Sequence, residues 1–127
     1  SNLHWFFGNP NGNAVNKALV AEIEKRTGDK NPSSLIGPAH GAVLAYAAAI
    51  TLANGTATPA IIEALEKVKV ETAKGTIIFR PEDHQQIGPV NILGSVPTPT
   101  GHQFKDYVEV PGAEIVEPAT PGVPIKL

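Results

Sequence analysis

The sequence predicts an α/β chain in which three helices come first and the strands cluster at the end. Three observations carry that expectation. Apolar residues recur at helical spacing through the first half. After Lys74-Gly75 the period becomes that of extended chain, with β-branched residues concentrated in Thr76–Arg80. Helices first and strands last is not the alternation of a complete doubly wound sheet.

His4–Phe7 opens the chain as a short aromatic run ahead of the turn-rich Gly8–Asn13. It reads either as a first strand joining a sheet or as a segment cut from a longer chain. Asn13 is a suitable cap for a helix over about Ala14–Thr27. Val15, Ala18, Leu19 and Ile23 form its apolar stripe, and Glu22 and Arg26 have the spacing of an i,i+4 pair. Asp29–Gly37 is a loop. Pro38–Ala53 is then the central helix, opened by Gly37-Pro38 and stopped by Asn54-Gly55. Its two apolar stripes nearly meet, which predicts burial on more than one side. At about 16 residues it is expected to be too short to span a membrane.

Thr58-Pro59 starts a third helix, running to about residue 69, with Ile61, Ala64, Leu65 and Val68 inward. Thr76–Arg80, Val90–Val96 and Gln103–Val110 read as strands. Val90, Ile92, Gly94 and Val96 share one face of the second, and the loop between the last two contains Gly101. The proline-rich end after Pro111 is expected to be extended.

Composition limits what the chain can do. Its 127 residues suit one domain. A net charge of −2 gives no electrostatic reason to expect nucleic acid, and no basic run marks a membrane surface. The absence of cysteine excludes disulfides, zinc-thiolate sites and thiol nucleophiles. No basic region followed by an apolar stretch opens the chain, so no signal peptide is present in it, and Ser1-Asn2 fits a scar of tag cleavage or a trimmed end.

The block Gly75–Val96, GTIIFRPEDHQQIGPVNILGSV, resembles the C-terminal part of the solute-binding proteins of branched-chain amino acid and amide ABC transporters. Asn9–Thr27, Pro32–Ala53, Pro59–Val68, Gly75–Gln85 and the two closing strands match that family's elements in order. The resemblance implies the C-terminal part of a type I periplasmic binding protein-like fold, with residues 1–127 an incomplete segment whose N-terminal portion is absent. It implies a small-molecule solute such as an amino acid or amide, a membrane permease as partner, a periplasmic location, and neither cofactor nor catalysis. Relatives commonly carry a tyrosine near the start of the central helix, where this chain has Ala39-His40-Gly41. On this resemblance Trp5, Phe6 and His40 are the expected ligand-binding positions. The apolar surfaces of Pro38–Ala53 and Trp5–Phe7 are expected to need cover from another copy or from the rest of a parent polypeptide.

Other chemistry is thinly represented. None of His4, His40, His84 and His102 has a second histidine three or four residues away, so the spacing of a helical metal motif is missing. Asp83-His84 has no serine in a nucleophile elbow to accompany it; Asp83 fits the turn after Pro81 and His84 its end. Asn9–Asn13 leads into a helix without the Walker lysine or the dinucleotide spacing. Two alternatives stand beside solute capture: a ligand-sensing regulatory domain of the same fold, and a small α/β enzyme using His40 or His84 as general base.

Overall fold

In a computed structural model of the chain, which describes residues 2–122, the elements run β1 (Asn2–Leu3), α1 (Ala14–Thr27), α2 (Ile36–Ala53), α3 (Thr58–Leu65), β2 (Val70–Thr72), β3 (Gly75–Phe79), β4 (Gln86–Ile87), β5 (Val90–Thr98), β6 (Gly101–Val110) and α4 (Gly112–Ile115). The strands form two antiparallel three-stranded sheets, ordered β1-β5-β6 and β2-β3-β4.

Each helix has a local cause. Asn13 caps α1 by accepting the backbone N–H of Asn16 at 2.8 Å, and Gly28 stops it at φ 74°. Arg26 and Glu22 form the expected pair at 2.6 Å. The helix α2 begins two residues before Pro38 and ends as expected at Asn54, whose φ of 49° turns the chain out of the helix. At 18 residues and a mean hydropathy of 1.4, α2 is long and apolar enough to cross a membrane, which corrects the length argument made from the sequence. Within the chain it packs along one face only. Along that face, Ala45 meets Val70 and Ile77, and a turn later Ala49 meets Ile61 and Ala64 of α3.

The face of α2 in contact is narrow, and it is made of Gly37, Gly41, Ala45 and Ala49. These small residues, one turn apart, let β2 come close: a Cβ built on Gly41 would touch Thr72 Cγ2 at 3.4 Å. The opposite face is open. Val43 and Tyr46 are 68% and 51% exposed, so burial all round does not hold within this chain.

Several further expectations are corrected. The helix α3 stops at Leu65 because Val70–Thr72 is drawn off to pair with β3, Val70 opposite Ile77. On α1 the one buried residue is polar Asn16, while Ala18 faces water. In β5 the buried side chains are Asn91 and Leu93 rather than those of the Val90–Val96 face. Pairing explains this: β1 lies beside Asn91 and Ile92, and a bulge between Ile92 and Gly94 offsets the register against β6. The loop after β5 tightens to Pro99-Thr100. The chain after Pro111 makes one helical turn, α4, before running on to residue 122. Ser1 and residues 123–127 lie outside the described residues, as do the expectations made for them.

Candidate functional site

The aromatic run folds back into its own chain. Trp5 is 1% exposed and Phe6 8% exposed. The Trp5 indole N–H donates to Asn16 Oδ1 at 2.6 Å, and the Asn16 amide donates to the Phe7 carbonyl at 3.2 Å. Gly37, in the first turn of α2, lies so close to the indole that any Cβ there would overlap it. These contacts correct the expectation that Trp5–Phe7 needs cover from outside: Asn16 supplies the buried N–H with an acceptor, and a glycine supplies the space.

Phe6 joins this segment to β6. Its ring packs edge-on against Phe104 with centroids 5.2 Å apart, and lies 5.1 Å from Phe7 and 6.2 Å from Tyr107. Tyr107 Oη lies 2.6 Å from Asn91 Oδ1 and 3.0 Å from Glu109 Oε2. Burial together with the Glu109 carboxylate raises the phenol above its ordinary value, because both oppose a phenolate.

A cavity of about 190 Å3 opens where the aromatic run meets the Asp29–Leu35 loop. Trp5, Phe6, Phe7 and Phe104 give it aromatic walls, and Asn31 and Ser34 give it polar groups. Small-molecule sites have this construction: apolar walls with a few placed polar groups. Trp5 and Phe6 are thus brought together at one concave surface. His40 is not among the residues lining it. It sits half-buried one turn into α2, and its Nδ1 is buried without a hydrogen-bond partner among the described residues. Phe104, Asn31 and Ser34 were not singled out by sequence. Phe104 gave one usable signal, as the large apolar residue in the otherwise polar first half of β6.

The turn after β3 is built as expected. Arg80 binds Asp83 through Nε at 2.8 Å and Nη2 at 2.6 Å, and Asp83 Oδ1 also accepts the Gln85 N–H. The paired guanidinium holds the Asp83 carboxyl below the usual carboxylate range. His84, at φ 59°, meets Glu66 Oε1 through Nε2 at 2.9 Å. This geometry ties the turn to the end of α3 and offers no nucleophile.

Comparison with known proteins agrees with the architecture. A family model described as "Periplasmic binding protein" matches residues 3–97. Among solved structures, one from Rhodopseudomonas palustris described as an ABC-type branched-chain amino acid transporter is 25% identical, with a TM-score of 0.85 over 97% of this chain and 33% of its own. A second R. palustris structure, a solute-binding protein of an ABC transporter in complex with 3,4-dihydroxybenzoic acid, is 19% identical at TM-score 0.72, covering 87% of this chain and 30% of that one. A leucine-, isoleucine-, valine-, threonine- and alanine-binding protein from Brucella ovis is 20% identical at TM-score 0.65, covering 93% and 33%. No curated protein matches. The chain therefore spans about a third of the length of the structures it resembles. With three quarters of its sequence inside the family match and its elements in the same arrangement, the chain belongs to the periplasmic binding protein family, whose solved members here are solute-binding proteins of ABC transporters with the type I fold.

Proposed function

We propose that residues 1–127 are the C-terminal portion of a periplasmic solute-binding protein that delivers an amino acid or a small aromatic acid to an ABC importer, without catalysis. The observation that carries the reading is the aromatic-walled cavity formed by Trp5, Phe6, Phe7 and Phe104 beside Asn31 and Ser34. Its walls suit a small apolar or aromatic body, and its polar rim suits the head group of such a solute. The rest of the parent chain supplies the facing wall. Capture is then a shift from open to closed arrangements of the lobes, driven by contacts made only when closed.

In this reading Trp5 and Phe6 face the solute from the cavity wall, and His40 approaches it from the start of α2 once the lobes close. Its unpartnered Nδ1 supports that assignment. The partners are the solute and a membrane permease. The test is calorimetry on the full-length parent protein with leucine, valine and 3,4-dihydroxybenzoate. One of them binds, and Phe6→Ala and His40→Ala each weaken it at least about fivefold, the order of losing a packed ring or a hydrogen bond. Unchanged affinity in both variants removes these residues from the site.

A further inference from the structure

Lys74 sits in the turn between β2 and β3, half-buried, and borders two cavities. Among the described residues its ammonium makes no ion pair and no side-chain hydrogen bond, although Glu71 and Glu109 line one of those cavities. Glu71 is already engaged by Asn13 and Thr76, and Glu109 by Asn9 and Tyr107. A half-buried cation with no counter-charge among the described residues carries a desolvation cost that nothing nearby offsets.

The other cavity, of about 330 Å3, has the opposite character. Lys74, His4, Gln85 and Gln86 stand on its polar side, and among the described residues no carboxylate lines it. Ile87, Val90, Ile115 and Val116 provide an apolar side. The closure by α4 is tight, since a Cβ on Gly112 would run into the backbone of Gly88. The cavity is also separate from the aromatic one. Leu3 and Trp5 face that site while His4, between them, faces this one, as side chains alternate along extended chain.

We propose that this cavity, bordered by the β2–β3 turn, the β4–β5 connection and α4, is a second site that binds a small organic monocarboxylate, its carboxylate on the Lys74 ammonium and its apolar body against Val90 and Ile115. The acidic lining of the neighbouring cavity turns an anion towards this side of Lys74. Burial holds the ammonium below its ordinary value, and a bound carboxylate reverses that effect by supplying the missing charge. A charge-assisted contact of this kind is the strong class of hydrogen bond.

The experiment is amide-resolved NMR of the full-length parent protein titrated with benzoate, alongside inorganic phosphate. Benzoate shifts the Gln86, Gly88 and Ile115 amides along one saturating curve, and Lys74→Met weakens that curve at least about tenfold while the rest of the spectrum is kept. Phosphate produces a much weaker response, because it leaves the apolar side unfilled. Phe6→Ala leaves the benzoate response at these amides in place, which separates this site from the aromatic cavity. Lys74→Gln serves as the second variant should Lys74→Met not fold. Three results overturn the proposal: no response at these amides in the unsubstituted protein, equal affinity in the Lys74 variants, or a carboxylate of the parent chain found paired with Lys74.

Discussion

Trp5 and Asn16 are eleven residues apart in sequence and both buried, joined by an indole N–H donating to Oδ1 at 2.6 Å. Around this bond the chain entry, the first turn of α1 and the start of α2 are held together, since Asn16 also donates to Phe7 and Gly37 seats the indole. It is therefore the contact whose loss should be felt most widely.

Asn16→Ala leaves the buried indole N–H without an acceptor. It should cost about 1–3 kcal/mol. Urea unfolding measures this as a lower midpoint at unchanged slope. Adding Trp5→Phe, which removes the orphaned donor, should make the pair cost less than the sum of the single changes.

The two glycines of α2 should respond in opposite ways. Gly37→Ala drives a methyl into Trp5 and should destabilise by about 1–3 kcal/mol. Gly41→Ala meets Thr72 only at ordinary contact distance, 3.4 Å. There the gain in helix propensity prevails, and the variant should be neutral or more stable by up to about 1 kcal/mol. Thermal melts of the two variants side by side decide it.

Asp83 makes stability depend on pH in a definite direction. Its folded-state pKa is depressed by Arg80, so the pair's contribution is fully present above the ordinary carboxylate value and is lost as pH falls through the depressed one. Asp83→Asn should flatten that part of the acid limb of the stability profile. An unchanged limb would show that the Arg80 pair contributes nothing to folding.

The open face of α2 predicts association. With Val43 and Tyr46 more than half exposed, the isolated 127-residue chain should self-associate at low micromolar concentration. Val43→Lys with Tyr46→Lys should return it to monomer in light scattering. In the longer solute-binding protein proposed above, where that face is expected to be covered, the same pair should destabilise instead. A monodisperse, unsubstituted short chain would contradict the first expectation.

Local chemistry was legible in the residues themselves. Asn13, Gly28 and Asn54 mark helix ends whatever surrounds them, because a cap or a left-handed stop depends on a few neighbouring backbone groups. Helical spacing placed α1, α2 and α3, and β-branched content placed β3. The order of these elements also carried the resemblance to solute-binding proteins.

What the sequence left undecided was which surface each element turns inward. Val90, Ile92 and Val96 looked like the inner face of β5, yet Asn91 and Leu93 hold it, because β1 arrives from the chain start and a bulge offsets β6. Trp5 and Phe6 looked like rings in need of a partner, yet Asn16, Gly37 and Phe104 receive them within the chain. The small-residue face of α2 became its inner one because β2, too short to stand out in the sequence, approaches closely there. Capping and periodicity are set by neighbours along the chain, so the sequence alone determined where the helices and the main strands lie. Burial and the cavities depend on contacts between distant residues, whose geometry only the tertiary structure decides.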